Sequence, residues 1–181
     1  LQCYVSKDRK YFIKRQISYT ISEREKRIMK YLSLYKNYKI DENNPIIPLF
    51  DIINYQNTYY HVYPYVNGDD LQKKRGSKLD YYNILLTIQY LHNKNIAHLD
   101  IKPDNFIKYN GVIYGIDLEF SRKIDKKYLY TPGSFGTRNY IAPELIYNNY
   151  VTLKSDIYSL GKLYYILKTG DYHFNYRYNE M

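Results

Sequence analysis

Within the segment HLDIKPDN, His98 to Asn105, a carboxylate, an ammonium group and an amide fall at Asp100, Lys102 and Asn105. These are groups that transfer of a phosphoryl group asks for. A carboxylate orients the attacking hydroxyl, a cation offsets charge on the phosphate, and a hard oxygen suits a divalent cation such as magnesium. On this reading Asp100 is the base, Lys102 the phosphate cation and Asn105 a metal ligand. The alternative is a basic connector between a helix and a strand, in which Asp100 caps a backbone group and His98 packs as a core histidine.

Such groups need a frame. Cys3 to Ser6 and Tyr11 to Ile17, joined by the polar turn Lys7 to Lys10, read as a strand hairpin. Ser22 and Glu25 have the spacing of a capping box, and Ile28, Met29, Leu32 and Tyr35 recur at helical intervals, which predicts a helix from Glu23 to Lys36. Leu49 to Asn54 and Tyr59 to Val66 predict two more strands. Past Gly68 the pattern becomes helical, with Ile84, Leu85, Ile88 and Leu91 on one face. Asn105 to Tyr109 and Val112 to Ile116 predict a small hairpin across Asn110 and Gly111. A short helix opening at Pro143 and an apolar helix from Ser155 to Lys168 follow.

YLHNKNIAHLDIKPDNFI resembles the catalytic loop of eukaryotic-type protein kinases, and Lys102 with Pro103 resembles their serine/threonine branch. GIDLEFS resembles the segment whose aspartate, here Asp117, holds magnesium. GTRNYIAPE resembles the end of an activation segment, where Thr137 would hold the catalytic Asp and Lys, and SDIYSLG resembles the helix whose Asp156 braces the loop. In YFIKRQI, Lys14 stands where the family's phosphate-reaching lysine lies, with Glu25 at the place of its helix partner. The residues alone also allow a solvated strand lysine and a capping-box glutamate. VYPYVNGDDL resembles the lobe connector, with Tyr63 as gatekeeper, Tyr65 offering backbone groups to adenine and Asp70 reaching the ribose.

The resemblance runs from Tyr4 to Phe174 and implies an α+β, two-lobed fold: a small antiparallel-sheet lobe with one helix over 1–66, and a partial, mainly helical lobe over 67–181. It implies ATP and Mg2+ as cofactors and a protein serine or threonine hydroxyl as acceptor. Departures support a second expectation, a kinase-like interaction module with little or no ATP turnover. No glycine precedes Gly68, so the phosphate-cradling glycine loop is absent from this row, and a chain continuing upstream of Leu1 would supply it. Phe12 stands where a small residue usually roofs the adenine. Asp117-Leu118-Glu119 replaces Asp-Phe-Gly: Leu118 suits an apolar stack with His98 and Met29, whereas Glu119 adds charge near the metals. Leu99 replaces the arginine that would dock a phosphorylated loop, and Glu144 lacks a partner arginine from later helices.

Bulk composition agrees with one unit of 181 residues. The single cysteine, Cys3, points to a reducing, cytoplasmic setting, and neither a signal peptide nor a membrane-length apolar run is read. The net charge of +9 is spread over a Lys-, Asn-, Ile- and Tyr-rich chain. The basic clusters Lys73 to Lys78 and Arg122 to Lys127 read as solvated faces, and the 27 scattered tyrosines form no stacking platform, which argues against a nucleic-acid partner.

Overall fold

Ser6 organises the first turn: its hydroxyl donates to Asp8 and accepts from the amides of Lys10 and Tyr11, while Arg9 takes a left-handed φ of 53°. This turn joins β1 (Cys3–Val5) to β2 (Tyr11–Arg15). In the computed structural model, which describes residues 2–16, 18–71, 77–131 and 136–169, these strands belong to an antiparallel sheet of order β1-β2-β4-β3. Its other members are β3 (Asp51–Tyr55) and β4 (Thr58–Pro64). The register sets Lys14 opposite His61 and Phe12 opposite Tyr63.

Helix α1 (Tyr19–Tyr31) lies against this sheet. It starts a turn earlier than the spacing of Ser22 and Glu25 predicts, because Ser18 is the cap and accepts from the Ile21 amide. Ser22 and Glu25 therefore face inward and are fully buried, so the capping-box reading is corrected. The helix also ends earlier than expected, at Leu32, where Ser33 and then Lys36 turn left-handed.

The second lobe begins with the short strand β5 (Asp69–Asp70) and with α2 (Lys78–His92), capped by a true capping box: Ser77 and Asp80 each bond the other's backbone amide. Ile84, Ile88 and Leu91 bury the predicted face of α2, with Leu85 half-buried beside them. Next come β6 (Ile96–Ala97), β7 (Phe106–Tyr109) and β8 (Val112–Gly115). The predicted hairpin forms across Asn110 and Gly111, both at positive φ, and β5 extends it to a three-stranded sheet. Strand β9 (Arg122–Lys123) pairs with β6, and β10 (Leu129–Tyr130) pairs with β11 (Tyr150–Val151). Helices α3 (Pro143–Asn148) and α4 (Leu153–Thr169) complete the described chain.

One core joins the lobes. Met29 from α1, Leu118, Ile84 and Leu91 from α2, Phe106 from β7 and Leu163 from α4 are all sealed within it. His98 is equally buried, its ring 6.0 Å from Phe106. A second cluster, Ala97, Leu99, Ile124, Ala142, Leu145 and Val151, packs the other side of the loop after β6. Among the described residues no helix is long and apolar enough to cross a membrane. Lys73, Lys74, Arg75, Ser134 and Phe174, and the side chain of Asp70, lie outside the described residues.

Candidate active site

The loop carrying Asp100 is held from behind. Asp156, near the start of α4 and fully buried, accepts from the amides of His98 at 2.8 Å and Leu99 at 2.9 Å, and its Oδ2 lies 2.8 Å from Nε2 of His92. These bonds hold Leu99 at φ +68°, a conformation that costs a branched residue on the order of 1–3 kcal/mol. Burial of the Leu99 side chain, 4% exposed in the second core cluster, works in the same direction. A leucine where an arginine is expected thus ties the loop to its surroundings by apolar packing. Gly136 lies directly above: a Cβ there would sit 2.6 Å from the Leu99 carbonyl, and its φ is +73°.

With its backbone fixed, Asp100 is only 4% exposed and is oriented through both oxygens. Thr137 Oγ1 donates to Oδ1 at 2.8 Å, and Asn105 Nδ2 donates to Oδ2 at 2.8 Å and to the Asp100 carbonyl at 2.7 Å. Lys102 Nζ lies 3.1 Å from Oδ2 and donates to Thr137 Oγ1 at 3.1 Å. The structure thus brings Asp100, Lys102, Asn105 and Thr137 into one bonded group. A carboxylate anchored this way suits a hydroxyl that must be oriented and relieved of its proton.

Asp117 follows β8 and adopts φ +64°, a left-handed conformation that aspartate tolerates better than most residues. Its Oδ2 meets Lys14 Nζ at 2.6 Å, while its Oδ1 is buried without a hydrogen-bond partner. Burial raises its pKa and the Asp100 and Glu25 charges add to that, with Lys14 opposing them. Asp117 and Asn105 both line one cleft. An unpartnered carboxylate oxygen on Asp117, with Asn105 lining the same cleft, fits Mg2+, which takes few protein oxygens and completes its shell with water and phosphate. Among the described residues no group of three or more His, Cys, Asp or Glu stands ready to hold a metal by itself.

Lys14 and Glu25 are brought near each other, but the expected direct pair is corrected. Lys14 Nζ contacts Asp117 and, at 2.8 Å, Glu119 Oε2. Glu25 instead accepts from Tyr63 OH at 2.8 Å, from the Leu118 amide at 3.2 Å and from Gln16 Nε2 at 3.3 Å, and its Oε2 lies 2.9 Å from His61 Nδ1. Ser22 Oγ lies 2.8 Å from the other ring nitrogen of His61. Burial works to raise the Glu25 pKa, but the bonds and charge of His61, with Lys14 and Tyr63, outweigh it and leave the carboxyl below its ordinary value. Burial likewise pulls the Lys14 ammonium down, yet the charges of Asp117, Glu25 and Glu119 hold it well above the ordinary lysine value. Glu25 acts on Lys14 through space, whereas Asp117 and Glu119 touch it.

The cleft encloses about 500 Å³, within the usual range for a small-molecule site, and is lined by Val5, Phe12, Lys14, Tyr63, Ile107 and Asp117 among others. Phe12 does sit in its wall, 6.3 Å from the Tyr63 ring. Tyr63 also lines the cleft, and its hydroxyl donates to Glu25. The Tyr65 amide donates to the Lys10 carbonyl at 2.8 Å, so one of the backbone groups expected to serve adenine is already engaged. Backbone direction alternates along an extended chain. The Pro64 carbonyl and the Val66 backbone therefore turn to the opposite side, and both residues line the cleft. Glu144 accepts from Ser155 Oγ at 2.6 Å.

Sequence reasoning missed two functional neighbours. Glu119 stands in the sequence as lost glycine freedom and added charge, although a carboxylate two residues past Asp117 is within range of the same lysine. His61 carried a usable signal: it shares a strand face with Tyr63 and stands opposite Lys14.

Residues 1–180 match the protein kinase domain family. A protein of Acanthamoeba polyphaga mimivirus named as a serine/threonine-protein kinase is 38% identical over 129 residues, covering 61% of this chain and 46% of that protein. Serine/threonine-protein kinase PknD of Protochlamydia amoebophila is 30% identical over 164 residues, covering 68% and 17%. Serine/threonine-protein kinase ppk34 of Schizosaccharomyces pombe is 29% identical over 154 residues, covering 76% and 43%. The chain thus spans less than half the length of each of these relatives. With a sheet lobe and a helical lobe closing on a braced aspartate, and a family match along nearly its whole length, the chain belongs to the protein kinase family.

Proposed function

We propose that this chain is a serine/threonine kinase that transfers the γ-phosphoryl group of ATP to a protein hydroxyl, in a cytoplasmic setting, with its lobes meeting near Val66. The carrying observation is the bonded group of Asp100, Lys102, Asn105 and Thr137, of which Lys102 and Asn105 line the same cleft as Asp117, whose Oδ1 has no hydrogen-bond partner. Asp100 orients the acceptor hydroxyl and takes its proton as the new P–O bond forms and the bond from the γ-phosphorus to the β,γ-bridging oxygen breaks, ADP leaving. Thr137 and Asn105 keep its oxygens aimed, and Lys102, already poised between Asp100 and Thr137, offsets charge on the transferred phosphoryl group. Asp117 and Asn105 would hold Mg2+, which neutralises phosphate charge when bound. Lys14 reaches the cleft wall as the cation for the remaining phosphates. Adenine has the Pro64 and Val66 backbone for hydrogen bonding, and Asp70 is the candidate for the ribose.

A second reading, a kinase-like module that binds partners and turns over little ATP, is favoured by Phe12 in the cleft and by Lys14 being engaged with two carboxylates. Incubation with γ-labelled ATP, Mg2+ and a generic basic or acidic protein decides between them. Phosphoserine or phosphothreonine formed by the parent and lost in Asp100→Asn supports the kinase. No transfer from the parent, with unchanged thermal stability on adding Mg-ATP, supports the module.

A further inference from the structure

The tripeptide after β8 places two carboxylates on one lysine, and they are not equivalent. Asp117 keeps Oδ1 unpartnered and lines the cleft. Glu119 is 3% exposed, does not line the cleft, and has Lys14 as its direct ionic contact. Its backbone carbonyl also accepts from Arg24 of α1 at 3.3 Å, which ties the residue to the helix. Glu25, one residue further along that helix, is saturated by Tyr63, His61, Gln16 and the Leu118 amide. A carboxylate with those bonds has little reason to reach for a lysine, because breaking them would leave buried polar groups unsatisfied.

We infer that Glu119 is the positioning residue that holds Lys14 for the nucleotide phosphates, taking the part expected of Glu25, and that Asp117 is released from Lys14 to its metal role. The division follows from the geometry. A divalent cation held by Asp117 would weaken that residue's hold on the lysine, and Glu119 would remain as the direct ionic contact that keeps Lys14 in the cleft wall. Glu25 serves a different end: it fastens α1 to β4 and to the Leu118 amide, so that the helix and the metal-bearing segment move together. The inference rests on the kinase reading of the cleft but not on turnover.

Its test has two arms, both on the full chain. In the first, equilibrium dissociation constants for ATP are measured with and without Mg2+. Glu119→Gln is expected to weaken Mg-ATP binding about tenfold and metal-free ATP binding by less, because Asp117 still contacts Lys14 when no metal is present. Glu119→Asp is expected to recover part of that loss, and Glu25→Gln to shift binding less than threefold. In the second arm, double-mutant cycles on unfolding compare Lys14→Met with Glu119→Gln and Lys14→Met with Glu25→Gln. The first cycle is expected to show the larger coupling whether or not the protein turns over ATP. Equal or greater loss of Mg-ATP binding in Glu25→Gln, or equal or greater coupling in its cycle, overturns the inference. Coupling as expected in a chain without phosphoryl transfer overturns the kinase reading and leaves Glu119 as the partner of Lys14.

Discussion

The two walls of the cleft are built differently. On the proposed acceptor side, Asp100, Lys102 and Asn105 come from one short loop, and Lys102, Asn105 and Thr137 all contact Asp100. On the proposed nucleotide side, Lys14 and His61 come from β2 and β4, Glu25 from α1 and Glu119 from the segment after β8, and the lysine contacts Glu119 where the resemblance implies Glu25. Catalytic-loop geometry is set by a few backbone bonds. The ion pairs of the other wall are set by competition among buried groups of similar reach, where one added carboxylate redirects the rest.

The contrast can be broken most severely at the brace. Asp156→Ala strips the acceptor from two buried amides and from His92, and should lower unfolding stability by roughly 3–5 kcal/mol. Chemical denaturation reads this directly, and a loss under about 1 kcal/mol would mean the loop is fixed by Leu99 packing alone. Next in size, Thr137→Val should slow phosphoryl transfer about tenfold while leaving the midpoint of nucleotide binding in place. A parallel loss of nucleotide affinity would join the two walls that the structure separates.

The nucleotide wall is better sharpened by pH. Asp117 has its pKa raised above 3.8, chiefly by burial, and must be ionised to hold a metal. The Mg2+-dependent part of ATP binding should therefore fade on acidification at a pH above that of an ordinary aspartate. The apoprotein should move the other way through the same range, because protonation relieves a buried charge. Glu25, held below its ordinary value of 4.5, contributes stability that is complete above that pH and is lost as pH falls through its depressed folded value. The smallest effect lies outside both walls. Asp80→Ala removes the α2 capping box and the 2.8 Å pair with Lys108, and should cost about 1 kcal/mol with no change in nucleotide affinity.

The acceptor wall was legible from the sequence because its partners sit within a single motif, and only Thr137 comes from a distance. Element positions were legible too, since the faces of α2 and α4 and the turn at Asn110 and Gly111 are patterned locally. The start of α1 was not: the spacing of Ser22 and Glu25 points to a cap at Ser22, but Ser22 is buried against His61 and Ser18 caps the helix instead. Nor could the partner of Lys14 be read. Sequence shows which carboxylates are in range, but the bonds that saturate Glu25 come from β4 and from Leu118, which meet it only in the folded chain.

The most direct measurement of the central claim is single-turnover phosphoryl transfer at increasing Mg-ATP for the parent and Asp100→Asn. A working base held as the structure shows it predicts the same half-saturating nucleotide concentration in both proteins, with the limiting rate lower in the variant by about 10²–10⁴-fold. Equal limiting rates, or a parent that binds Mg-ATP and transfers nothing, would contradict it.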